Sequence, residues 1–231
     1  MPVHVSAVLL AAGASTRFGS PKMLAAVPPD GRPMLAHVVD TWRGAGFEEI
    51  VVVLGHGAEE LRARIEEDLL RMSQRGPDGA KRAARPLDAA PPPPVRFVEN
   101  PDWESGMFSS VRCGLAAASP ATTHVALSPA DLPFLRKSSL RTILDATNLP
   151  EADSRTLLVP VCGRRRGHPL VIPAGLVGRV LSWPSGERLN RLFAEPDVKV
   201  LHLEGFDETV LADVDRPADL AAAAAPAGAR A

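Results

Sequence analysis

Residues 9–24, LLAAGASTRFGSPKML, pass from an apolar run into small residues and then to Arg17, Gly19 and Lys22. Small side chains at positions 11–15 let the main chain approach a ligand closely, and successive N–H groups there can form a concave anion site. Arg17 adds a planar fork suited to phosphate oxygens, and Lys22 adds a compact point charge. The chemistry such a stretch offers is a grip on a polyphosphate. Two familiar phosphate loops do not fit it. A Walker A loop needs GxxxxGK[ST], whereas Gly13 and Gly19 are separated by five residues and Ser-Pro-Lys follows. The GxGxxG pattern is also missing, because Ala11 stands where its first glycine would. Taken alone, the stretch also suits a plain strand-to-helix turn with an exposed Arg and Lys.

Bound polyphosphate calls for a cation. Mg²⁺ takes hard oxygen ligands and keeps several waters, so one or two carboxylates are enough. Asp131, in LSPADLP directly after the apolar run THVALS, is the first-choice ligand; capping of the following turn is its alternative role. Pro133 stiffens the chain just beyond it. Asp213 and Asp215, in LADVDRPADL, alternate with apolar residues and so share one side of an extended segment. Spacing leaves open which of the two reaches the ion, and Asp215 before Arg216-Pro217 equally suits a helix N-cap.

Two further segments carry polar groups at element ends. GMFSSVRCGL, residues 106–115, is expected to open a helix with Ser109 and Ser110 in its first turn. Free N–H groups there favour an anion or a nucleobase carbonyl, although ordinary helix-start chemistry also explains the serines. GRRRGHPLVI sets three arginines, a glycine and a His-Pro pair between apolar runs. Arg166 and His168 are candidates to hold a phosphate, with a solvated hairpin tip as the alternative for Arg164–Arg166. His168 has a restricted direction, since the following proline limits its backbone.

The elements that must position these residues follow from periodicity. Strand-like runs recur at VHVSAVLL, EIVVVLG, VRFVE, THVALS, TLLVPVC and VKVLHL. Helix-spaced segments lie between them: PMLAHVVDTWRGAG, AEELRARIEEDLLRM, GMFSSVRCGLAAA and LRKSSLRTILDAT. This alternation predicts a mainly parallel sheet covered on both faces, a three-layer α/β/α sandwich, with ligands at the carboxyl ends of the strands. Residues 11–22 and Asp131 fall at that edge. The expected organisation is one domain over residues 1–220, a flexible Pro/Ala-rich surface insertion at 73–94 and a disordered tail at 221–231.

Composition narrows the function classes. A net charge of −1 provides no global field toward nucleic acid or an anionic membrane, so neither is an expected partner. Cys113 and Cys162 are isolated, which fits neither a disulfide framework nor a CxxC site and points to the cytoplasm. VSAVLLAAGAS has a signal-like apolar stretch, but no Lys or Arg precedes it and TRFGSPK follows. No other stretch approaches the ~20 apolar residues of a membrane span.

LAAGASTRFGSPK closely resembles the signature L-A-[AG]-G-x-S-x-R-[MF]-G-x-x-K of nucleotidyltransferases related to the molybdenum-cofactor cytidylyl- and guanylyltransferases. DGRPML, VVVLGH, NPDWESGMFSSVRCGL, PADLP, GRRRGHPLVI and DVDRPADL follow in that family's order. The resemblance implies a Rossmann-like NTP-transferase fold that joins a nucleoside triphosphate to a phosphorylated acceptor and releases pyrophosphate. It implies that Leu10, Ala11, Ala12, Gly13 and Ser15 hold the nucleotide, with Ser109 and Ser110 beside the base and ribose. Arg17, Lys22 and Asp131 would act in catalysis, and Asp131, Asp213 and Asp215 around Mg²⁺ or Mn²⁺. Arg166 and His168 would face the acceptor. Ala12 and the R-G-H-P segment lean toward the cytidylyl branch, hence CTP and molybdopterin, with a molybdoenzyme or its chaperone as recipient of the product. Guanylyl transfer, transfer to a sugar phosphate or other small metabolite, and a non-catalytic nucleotide-binding delivery protein are the rival expectations. One departure matters: Ala130 stands where most relatives have glycine. A positive φ there would cost roughly 1 kcal/mol and displace Asp131.

Overall fold

Strand and helix alternate along the chain as the apolar pattern requires. The computed structural model describes residues 3–74 and 92–224. Its strands are β1 (Val5–Ala11), β2 (Ala26–Val27), β3 (Arg32–Pro33), β4 (Glu49–Leu54), β5 (Val95–Glu99), β6 (His124–Pro129), β7 (Thr156–Cys162), β8 (Arg165–Arg166), β9 (Leu170–Pro173) and β10 (Lys199–Leu203). The α-helices are α1 (Met34–Arg43), α2 (Ala58–Gln74), α3 (Met107–Ala117), α4 (Lys137–Ala146), α5 (Ala174–Leu181) and α6 (Pro217–Ala224).

Among the described residues, eight strands form one sheet in the order β10-β7-β9-β6-β1-β4-β5, with β8 paired to β7. The β1–β4, β1–β6, β4–β5 and β7–β10 pairs are parallel, as the alternation predicts. β9 runs antiparallel to both β6 and β7. Because β9 runs the opposite way, it begins at the edge where the parallel strands end. Leu170 therefore pairs with Leu127 late in β6, and the preceding His168 stands at the carboxyl edge beside Asp131.

Both faces of the sheet are buried, which explains the unbroken Val/Leu character of β4. Leu9, Ile50 and Val52 pack toward Leu35, Trp42, Ile65 and Ile143 on one side. Val8, Val51 and Val53 pack toward Phe108, Val111 and Leu176 on the other. Each such fully buried aliphatic side chain contributes roughly 1.5–3 kcal/mol. The approach of α3 is closest at Gly114, where a β-carbon would lie 2.4 Å from Val8 Cγ1 and 2.9 Å from Val53 Cγ2. A small hairpin, β2–β3, is tied to the helices by Arg32, whose Nη2 donates to Asp68 at 2.8 Å and whose Nη1 donates to Asp40 at 3.3 Å.

Two expected boundaries shift. Ser73 and Gln74 end α2 rather than opening an insertion, and Pro92–Pro94 lead directly into β5; residues 75–91 lie outside the described residues. α6 continues to Ala224, so residues 221–224 extend a helix rather than begin a tail, and 225–231 lie outside the described residues. Among the described residues, no helix is long and apolar enough to cross a membrane.

Candidate nucleotide and acceptor site

β1 ends at Ala11, and the chain then turns through the small residues of the loop. Ser15 has φ 55°, the only positive φ of a non-glycine among the described residues. Its carbonyl accepts from Phe18 N at 2.9 Å, which closes the loop into a tight turn with Arg17 at its outer rim. The chain next enters a short 3₁₀ turn, Lys22–Leu24, that carries Lys22 inward to 8% exposure. A lysine so placed needs partners, since an unpaired buried ammonium is strongly disfavoured.

The partners are carboxylates. Lys22 Nζ donates to Asp131 Oδ2 at 2.7 Å and to Asp215 Oδ1 at 3.2 Å. Arg17 Nη1 donates to the other oxygen of Asp215 at 2.8 Å. Lys22 foremost, and then Arg17, hold the Asp215 carboxyl below its ordinary range. The sheet brings these groups together: Ala130 N donates to Leu10 O at 3.0 Å, and Val214 N donates to Asp131 O at 2.9 Å. Ala130 is fully buried with no positive φ, so the glycine departure leaves the Asp131 backbone unstrained.

A cavity of about 370 Å³ lies over this arrangement, lined by Leu10, Ala11, Ala12, Gly13, Ser15, Arg17, Lys22, Ser110, Asp131 and Asp215. Asp213 is absent from that lining, and its charge favours the protonated form of His168. Ser109 does not line the cavity. Its hydroxyl donates to Gly106 O at 2.8 Å and Asp102 O at 2.9 Å, the helix-start role that serine chemistry allows. Trp103, Gly106 and Met107, which are not among the residues expected from sequence, also line the cavity. The NPDWESG stretch was the available signal. Gly106, with φ 110°, lets the chain reverse into α3 at the cavity wall.

The carboxylates suit a hard divalent ion. Among the described residues, Asp131 Oδ1 is buried without a hydrogen-bond partner, and the exposed Asp213 carboxylate makes no hydrogen bond. Asp215, by contrast, is committed to Lys22 and Arg17. Among the described residues, no three or more His, Cys, Asp or Glu form a metal-holding cluster. Two carboxylates supplemented by water and phosphate oxygens are the usual complement for Mg²⁺.

A second, larger cavity of about 980 Å³ adjoins the first and shares Leu10, Gly106, Met107 and Pro129 with it. Arg166 and His168 line it, whereas Arg164 and Arg165 do not. The Arg166 guanidinium lies 4.3 Å above the Phe193 ring. Burial lowers the His168 pKa, while Asp131 and Asp213 act in the opposite direction, and its buried Nδ1 has no partner among the described residues. Much of the remaining wall is apolar, including Phe108, Val111 and Leu127. Cys113 and Cys162 line neither cavity.

Residues 7–200 match the family described as MobA-like NTP transferase domain. The chain is 32% identical over 221 residues to nicotine blue oxidoreductase of Paenarthrobacter nicotinovorans, covering 91% of this chain and 92% of that protein. Bifunctional protein GlmU of Burkholderia thailandensis is 39% identical over 141 residues; the match spans 60% of this chain but 25% of that protein. A nucleotidyl transferase from Methanothermobacter, Mth528, shares the fold with a TM-score of 0.70 at 23% identity, covering 95% of each chain. The Mycobacterium tuberculosis H37Rv protein Rv0371c, solved in complex with manganese, shares it with a TM-score of 0.62 at 24% identity, covering 96% of this chain and 98% of that one. Loop, carboxylates and sheet order thus agree with a match over most of the chain, which belongs to the family of MobA-like NTP transferase domains.

Proposed function

We propose that this protein transfers a nucleoside monophosphate, CMP from CTP, to a phosphorylated acceptor of the molybdopterin type and releases pyrophosphate. One observation carries the reading: Arg17, Asp215, Lys22 and Asp131 form a continuous line of ion pairs beneath the small-residue loop, inside one cavity. Two cations in that line, and a neighbouring carboxylate with an oxygen free of hydrogen bonds among the described residues, support the binding of a triphosphate with its metal ion.

In the proposed reaction an oxygen of the acceptor phosphate bonds to the α-phosphorus in line, and the bond from that phosphorus to the bridging oxygen breaks. Pyrophosphate departs with the electron pair. An acceptor phosphate already ionised at neutral pH needs no general base. The protein supplies position and charge rather than a covalent intermediate. Backbone N–H groups of residues 11–15 and the Arg17 fork hold the triphosphate. Lys22 neutralises negative charge that builds up during transfer. Asp131 and Asp213 would hold Mg²⁺ or Mn²⁺, which when bound would offset the charge of the leaving group. Asp215 aims Arg17 and Lys22. Arg166 would take the acceptor's anionic end as a fork, and His168, kept neutral by burial, would contribute a hydrogen bond.

CTP is favoured over GTP by Ala12 in the loop, and molybdopterin by the R-G-H-P segment and the roomy, largely apolar second cavity. A redox reaction on a small molecule in that cavity is a second reading, favoured by the extended identity to nicotine blue oxidoreductase. Pyrophosphate release discriminates between them. With Mg²⁺, CTP and molybdopterin, the first reading expects stoichiometric pyrophosphate. Oxidation or reduction of an acceptor dye by a nicotinamide dinucleotide, without pyrophosphate from any triphosphate, would favour the second.

A further inference from the structure

Asn100 follows β5 at 3% exposure, and every polar atom of its side chain is committed. Its Oδ1 accepts from Asp102 N at 3.0 Å. A backbone N–H can only donate, so this contact fixes which end of the amide is oxygen. Nδ2 must then face the serines, and it donates to Ser109 Oγ at 2.8 Å and to Ser110 Oγ at 3.0 Å.

The two serines differ in what remains. Ser109 spends its proton on the carbonyls of Gly106 and Asp102. Ser110 accepts from Asn100 and has no other hydrogen-bond partner among the described residues, although it is 4% exposed and lines the 370 Å³ cavity. A hydroxyl carries one proton and two lone pairs. With a lone pair turned back to Asn100, the Ser110 proton is left for the cavity.

We propose that Asn100 is a positioning residue that holds Ser110 as a hydrogen-bond donor toward the nucleotide, so that this point of the cavity selects an oxygen acceptor on the base or ribose over an amino group. The inference rests on the nucleotide reading of the cavity and adds to it the polarity of one contact. It explains why an amide stands at position 100. A carboxylate there would draw both serine protons to itself and leave the cavity facing a lone pair.

The test compares S110A, S109A, N100D and the double variant N100D/S110A by calorimetric binding of CTP and 2′-deoxy-CTP with Mg²⁺, together with thermal melting and the KM and kcat of pyrophosphate release. S110A is expected to weaken CTP binding roughly five- to tenfold, the scale of one hydrogen bond, and to raise KM with little change in kcat. N100D should reproduce that loss, and adding S110A to it should cause no further loss. S109A should bind CTP as wild type does. The ribose 2′-oxygen is the partner if S110A leaves 2′-deoxy-CTP binding unchanged, and an oxygen elsewhere on the ribose or base is the partner if both nucleotides weaken equally. The proposal is overturned if wild type binds CTP and S110A binds it equally well, or if S109A and S110A lose affinity and melting temperature in parallel. Wild type that binds no triphosphate would overturn the nucleotide reading itself.

Discussion

Lys22 Nζ lies 2.7 Å from Asp131 Oδ2, joining residues 109 positions apart at the mouth of a cavity. The lysine side chain is 10% exposed and the aspartate 18%, so the pair is poorly screened by water. In K22M, Asp131 and Asp215 would lose their shared cation while the aliphatic stem is kept. The expected result is a fall of roughly 10²–10³-fold in kcat/KM, with destabilisation of about 1–3 kcal/mol for the Asp131 carboxylate left unpaired. Steady-state pyrophosphate release and denaturant melts measure the two effects separately.

The geometry separates the roles of Asp213 and Asp215. Asp215 is occupied by Lys22 and Arg17, whereas Asp213 has no hydrogen bond to its carboxylate among the described residues. D213N should raise the Mg²⁺ concentration giving half-maximal activity by about tenfold, an effect of the size seen when one group supporting a metal is lost. D215N should leave that concentration within about twofold and raise KM for CTP instead, because Arg17 is no longer aimed. A metal titration at saturating CTP decides the matter. The reverse ranking would assign the ligand to Asp215.

Arg166 stacks 4.3 Å above Phe193 in the second cavity. R166A and F193L are expected to raise KM for the acceptor while leaving KM for CTP unchanged, each by about fivefold. R166K should not restore activity, since an ammonium lacks the planar fork. Kinetics with either substrate varied will show the split.

Acid sensitivity should arise partly from His124 at the far end of β6. Burial depresses its pKa, and its Nε2 is buried without a partner among the described residues. The folded protein therefore binds a proton less readily than the unfolded chain, whose histidines titrate near ~6.5. Stability from this residue is complete above that value and is lost as pH falls from about 7 toward the folded pKa. H124Q should flatten the decline of melting temperature over that interval. An unchanged slope would show that His124 does not govern it.

The sheet was legible because strands buried on both faces must be apolar throughout, as in Ile50–Leu54, and helices of ordinary length repeat every three to four residues. The reversed direction of β9 was not, since side-chain pattern reports burial and not polarity of pairing. The residues Ala174–Leu181 of α5 were missed because the segment is short and contains two glycines, Gly175 and Gly178. Within the site, residue types at 11–22 and at 131 foretold the neighbourhood they share. The commitment of Asp215 to Lys22 could not be read, because the partners are 193 positions apart and the segment of Asp215 is anchored beyond β6, where Val214 N donates to Asp131 O. Ser109 and Ser110 are adjacent and chemically alike; only Asn100 and the path of the loop distinguish them.

The most direct measurement is anomalous diffraction from a crystal soaked with Mn²⁺ and a non-hydrolysable CTP analogue. The account predicts a manganese peak beside Asp131 Oδ1, with the triphosphate lying along the backbone of residues 11–15 between Arg17 and Lys22. A triphosphate bound elsewhere, or manganese held away from Asp131 while the nucleotide is present, would contradict it.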